Sequence, residues 1–146
     1  YRERALMESN TAWTQEWITL QGNFERYEAC ALAIKLVAVL LFFAAAWLGA
    51  DAWLVCLMLG VLWLQEAICK TFQSRLGQRL LQLEAWLGGA ATASAGSAFQ
   101  LHSAWRDGRK GAAGLLADYA ASACRPTVAF PYAVLLLAVV LATALA

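Results

Sequence analysis

Residues 29–68 read ACALAIKLVAVLLFFAAAWLGADAWLVCLMLGVLWLQEAI, and the fold turns on how they are taken. Ala29 to Leu48 is apolar except for Lys35, and Ala52 to Leu64 is apolar again. Between them lies Gly49-Ala50-Asp51, a glycine followed by one acid. A helix rises 1.5 Å per residue, so ~20 residues cross the ~30 Å hydrocarbon core of a bilayer. We read 29–68 as a two-span transmembrane hairpin with its tight turn at residues 49–51, bracketed by Trp47 and Trp53 as aromatic residues bracket a membrane boundary. Lys35 lies 15 or 16 residues before the turn, and Glu66 lies 15 or 16 after it. Both therefore sit ~23 Å from the outer boundary and ~7 Å inside the inner one. Three readings of this matched depth stay open. The two groups form an intramembrane ion pair, or each reaches head-group water separately, or they belong to an ion or proton path. Gln65 adds polarity at the same level, and Ala44, Ala45, Ala46, Gly49 and Gly60 permit close helix packing.

The flanks of this stretch are helical but amphipathic. Leu6, Trp13, Trp17, Leu20, Phe24 and Tyr27 in residues 1–28 form one stripe, with Glu8, Gln15, Glu16, Gln21 and Arg26 mostly off it. The stripe stays in phase through Ala31 and Ile34, leaving open an unbroken passage into the first span. Its apolar face either packs on a neighbouring helix or lies on the membrane surface. In residues 69–87, which continue an apolar stripe begun at Ile68, Phe72, Leu76, Leu80, Leu83 and Leu87 align, and Lys70, Arg75, Arg79 and Gln82 cover the remainder. We expect this arm to pair with the N-terminal helix, making an antiparallel hairpin longer than the bilayer is thick. Gly88-Gly89 ends it. Residues 88–126 read as a loose loop: GGAATASAGSA, a short helix over Phe99–Trp105, a basic turn and a second short helix over 112–124. Arg125-Pro126 then breaks the chain, and residues 127–146 form a third span with Pro131 in its first turns.

Composition limits what such a chain does. Apolar residues make up 62% and charged residues 14%, far from the half and quarter of an average soluble domain, and the excess is clustered in the spans. A net charge of +1 gives no field for nucleic acid. The first 28 residues hold five glutamates and three arginines, unlike a cleavable leader. Residues 69–126 carry seven Lys/Arg against three acids while the outer turn carries only Asp51, so the positive-inside rule places the N-terminus and the long loop in the cytoplasm. Thiols there stay reduced, and we expect no disulfides among Cys30, Cys56, Cys69 and Cys124, although the hairpin brings Cys30 toward Cys69. Four scattered cysteines and the single His102 do not make a zinc site, and no catalytic signature is present. We expect no catalytic residues, metal or cofactor. Arg106, Arg109 and Lys110 are candidate lipid-headgroup contacts, a solvated turn being the plainer alternative.

Ile34-Lys35 resembles the lysine motif that opens the first span in a group of small, uncharacterised bacterial multi-span membrane proteins. Glu66-Ala67-Ile68-Cys69 stands where those proteins carry an acid followed by aromatics, and Arg125-Pro126-Thr127 resembles the opening of their last span. Ile68 and Cys69 are not aromatic, and Gln73-Ser74 replace a Glu-Arg pair. The pattern is also similar to two-span effector domains of bacterial defence systems, which are thought to act as membrane pores. The first resemblance implies that Lys35 and Glu66 are a matched pair and places the chain in a bacterial inner membrane. It implies no activity.

The sequence thus leads us to expect an all-α integral membrane protein with three transmembrane helices and a hairpin extended into the cytoplasm. The function expected is non-enzymatic, an accessory or scaffold subunit contacting membrane lipids and other membrane subunits or itself. Its Trp-rich stripe and third span are the expected contact surfaces. The alternative is a homo-oligomeric pore lined by Lys35, Gln65 and Glu66, which has few polar groups for an aqueous channel.

Overall fold

The computed structural model describes residues 2–88 and 111–145. The linker from Gly89 onward, the short helix expected at Phe99–Trp105 and the basic turn with Arg106, Arg109 and Lys110 lie outside the described residues. Four helices make up the rest: α1 (Arg2–Leu48), α2 (Ala52–Leu87), α3 (Ala112–Ala123) and α4 (Pro126–Leu145). Three of them, α1, α2 and α4, are long and apolar enough to cross a membrane.

α1 runs 47 residues without a break, through Gly22 and across the junction between amphipathic arm and apolar segment. An interior Gly costs ~1 kcal/mol against Ala, too little to interrupt a helix that is packed along one side. α1 ends where Gly49 adopts φ +65°, a left-handed conformation that a side chain disfavours. Ala50 N–H then donates to Ala45 O at 2.9 Å and Gly49 N–H to Ala46 O at 3.4 Å, which satisfies two of the end carbonyls. Two residues later α2 begins, with Asp51 O accepting from Leu54 and Val55 N–H. The turn is therefore as short as the sequence implies.

α1 and α2 form an antiparallel hairpin along most of their length, with a seam built on alternating steps of four and three. On α1 it runs Trp13, Trp17, Leu20, Phe24, Tyr27, Ala31, Ile34, Ala38; on α2 it runs Val55, Leu59, Leu62, Glu66, Cys69, Gln73, Leu76, Leu80, Leu83. Every one of these residues is buried or half-buried. A period of 3.5 keeps one stripe facing a partner helix, as in a coiled coil. Residues equidistant from the turn meet. Lys35 faces Glu66, Glu28 faces Gln73, and Trp17 faces Glu84.

Two apolar cores lie along the seam. The first joins Ala38, Val55, Leu59, Tyr132 and Val139, and the second joins Trp13, Leu20, Leu80 and Leu83. The N-terminal stripe is thus packed on the neighbouring arm. α3 and α4 lie on an adjoining face of α2. They are joined by the Cys124-Arg125 corner, and Pro126 opens α4 at the position where its missing N–H costs nothing. Pro131 is accommodated inside α4.

Candidate functional site

Glu66 occupies a seam position of α2, where every fourth or third residue is enclosed, and its side chain is fully buried. A carboxylate in such surroundings needs charge compensation, since its desolvation costs several kcal/mol. Lys35 supplies it from α1, with Nζ 3.0 Å from Oε1. This contact is ionic without being a well-directed hydrogen bond, so Oε1 has charge compensation but no aligned donor. Oε2 is served from α4, where Tyr132 Oη donates at 3.0 Å and lies 3.4 Å from Leu62 O. Tyr132 is itself fully buried. Its ring stacks on Trp63 at 6.0 Å with an interplanar angle of 10°, and Trp63 Nε1 donates to Ala123 O at 3.1 Å. One carboxylate therefore ties α1, α2 and α4 together, and the aromatic pair beside it anchors the end of α3.

Two further polar levels follow along α2. At the first, Lys70 Nζ lies 2.9 Å from Glu28 Oε2 and donates to Gln73 Oε1 at 2.9 Å, while Gln73 Nε2 donates to the same Glu28 oxygen. The Gln73 amide and then the Lys70 ammonium hold the Glu28 carboxyl below its ordinary range. On the adjoining face Thr71 Oγ1 and Ser122 Oγ lie 2.8 Å apart, and Arg75 approaches Asp118 at 3.6 Å. At the second level Arg79 donates from Nε to Glu16 Oε1 at 2.8 Å and from Nη2 to Oε2 at 3.3 Å, a two-pronged pair with both side chains buried. Its guanidinium lies 4.9 Å from the centroid of Trp86, and Trp86 lies against Trp13.

Glu16 and Arg79 correct the helical-wheel assignment, which set both on the outer, polar face. They lie 34 residues before Ala50 and 28 after Asp51, so the two are six residues out of level, ~9 Å at 1.5 Å per residue. A long, flexible guanidinium closes that gap, which matched depth alone does not signal. Tyr132 was missed because nothing near it in sequence marks it, its partner being 66 residues away. The Trp-rich stripe pairs with residues 69–87 as expected, and that pairing takes it inside the hairpin rather than leaving it as a contact surface for a partner, with Trp13 buried and Trp17 half-buried. Its indole donates to Glu84 Oε1 at 3.3 Å.

Among the described residues no three His, Cys, Asp or Glu side chains gather as metal ligands, and all four cysteines are free. The arrangement can hold helices in register and can hold a buried charge pair. No protein-family model, curated protein or solved structure matches the chain.

Proposed function

We propose that the chain is an integral membrane protein of three spans that acts as a non-enzymatic accessory or scaffold subunit, in a bacterial inner membrane with its N-terminus in the cytoplasm. One observation carries the reading. The outer surface of the hairpin changes character along its length. Outward positions of the arm are mostly polar, among them Thr14, Gln15, Thr19, Glu25 and Arg26, with Ile18 and Leu81 as apolar exceptions. Beyond residue 31 they are apolar, with Leu32, Leu36, Leu40 and Phe43 each more than half exposed and Trp47 90% exposed beside the turn. α4 adds Phe130, Leu137 and Val140. A monomer in water does not sustain so broad an apolar band, whereas a bilayer accommodates it. The arm then stands clear of the membrane, ~40 Å long by the rise of a helix, and offers a rigid polar surface to another subunit. The outer face of α4 suits lipid or a partner's span.

The test is the mass of the intact particle isolated in mild detergent or a nanodisc. Unrelated subunits in fixed ratio support the accessory role, and a pure particle of this chain alone overturns it. The alternative, a homo-oligomeric pore, has one observation in its favour. Gln65 is exposed among apolar neighbours at the level of Glu66, so several copies would align a ring of amides. Glu66 itself is engaged by Lys35 and Tyr132 inside one chain, which leaves it a poor pore lining. Conductance in planar bilayers that changes on Glu66→Gln would favour the pore.

A further inference from the structure

The transition between polar arm and apolar band is also where α1 carries a shallow groove of about 330 Å³, lined by Glu25, Glu28, Ala29, Leu32 and Lys35. That volume suits a small polar ligand or a head group. Its charges are ordered along the helix. Lys35 lies seven residues nearer the turn than Glu28, ~10 Å along the axis, and Glu25 lies farther out still. In the membrane this order runs cation, then anions, from the hydrocarbon toward water. A zwitterionic glycerophospholipid runs in the complementary order, with its phosphate next to the glycerol and its amine outermost.

We propose that this groove binds the head group of an aminophospholipid such as phosphatidylethanolamine, with the phosphate at Lys35 and the ammonium between Glu25 and Glu28. The inference rests on the membrane reading above. Each contact has an available atom. The Lys35 ammonium has three N–H groups, its ionic contact with Glu66 is confined to one side, and its side chain is 24% exposed. Glu28 meets Lys70 and Gln73 through Oε2, so Oε1 stands outside those contacts. Glu25 is exposed, and its carboxylate accepts a hydrogen bond from Gln21 at 3.0 Å. Leu32 and Leu36, both exposed, continue the groove toward the apolar band and lie where the glycerol and acyl chains would run. The two carboxylates disfavour an anionic head group by like-charge repulsion. They also separate two zwitterions: a primary ammonium donates hydrogen bonds to carboxylates, and a quaternary one has none to donate.

The experiment uses the full chain in mild detergent, stripped of bound lipid and titrated with phosphatidylethanolamine, phosphatidylcholine and phosphatidylglycerol of matched acyl chains, with bound lipid counted by native mass spectrometry. Charge-assisted hydrogen bonds predict roughly tenfold tighter binding of the ethanolamine lipid. The paired change Glu25→Gln and Glu28→Gln, at exposed positions, should abolish that preference while the folded chain still binds lipid. Equal binding of the three lipids by the native chain, or preference for the glycerol lipid, overturns the head-group site. Loss of the native chain from membranes on an alkaline wash overturns the membrane reading instead, so the two failures are told apart.

Discussion

The hairpin contains two buried ion pairs built to different standards. In the arm, Glu16 and Arg79 meet through two hydrogen bonds, with an indole under the guanidinium and a further contact at 3.4 Å from Arg79 Nη1 to Gln82 Oε1. In the apolar half, Lys35 meets Glu66 through one ionic contact, and the tyrosine on α4 serves the other oxygen. The arm pair is closed within two helices and stiffens one face of the hairpin. The other pair is completed only when α4 is docked, so it reports on the three-helix assembly. A fork such as guanidinium satisfies a carboxylate alone, whereas an ammonium on a flexible stem is a point charge that leaves room for other partners.

The largest effect should come from breaking the closed pair. Arg79→Ala leaves Glu16 enclosed without its cation and should cost ~4 kcal/mol of stability in detergent unfolding. A loss under ~1 kcal/mol, the range of exposed pairs, would mean that water replaces the guanidinium easily. Next comes Lys35→Ala, at ~3 kcal/mol, somewhat less because the hydrogen bond from Tyr132 to Glu66 remains. Lys35→Ala and Glu66→Ala should each destabilise more than the double change does. Simple additivity in that cycle would remove the coupling between the two residues.

Tyr132→Phe keeps the stack on Trp63 and removes only the hydroxyl, so ~1–2 kcal/mol is expected. Crosslinking between α2 and α4 should fall with it, while crosslinking between α1 and α2 stays unchanged. Equal loss of both would mean that Tyr132 supports the whole fold rather than the docking of α4. The smallest effect concerns Glu28, which is largely exposed. Its carboxyl is held below an ordinary value near 4.5, so the folded state binds this proton less readily than the unfolded one. The contribution is then complete at neutral pH and is lost as pH falls from about the ordinary value through the lowered one. Thermal melts of the native chain and of Glu28→Gln should therefore differ at pH 7 and converge in acid. A gap that widens in acid would reverse the sign.

What the sequence made legible follows from helix geometry. The apolar runs, the glycine turn and the matched depth of Lys35 and Glu66 all derive from counting residues at a fixed rise, and the hairpin preserves that count. The short helix at 112–124 and the break at Arg125-Pro126 were legible for similar local reasons. Side-chain reach was not legible. Arg79 reads as surface because arginine usually is, and only the tertiary offset between the helices gives it Glu16. Tyr132 reads as one aromatic in an apolar span, and its hydroxyl acquires meaning only once α4 is placed against α2. The arm stripe was legible in phase with the first span, and so was its pairing with the stripe of residues 69–87, where Trp13 and Leu20 pack on Leu80 and Leu83.

The steps of four and three continue through the change from polar to apolar surroundings without a skipped or added residue. This makes the hairpin a ruler graduated in sevens. Seven residues added to each helix at the same level would lengthen the arm by ~10 Å and return every side chain to its old direction. A single added residue would turn everything beyond it by ~100° and bring polar outer positions into the seam. Evolution can therefore move the far end of this arm in coarse increments only, and any partner that grips it is met at one of a few permitted heights.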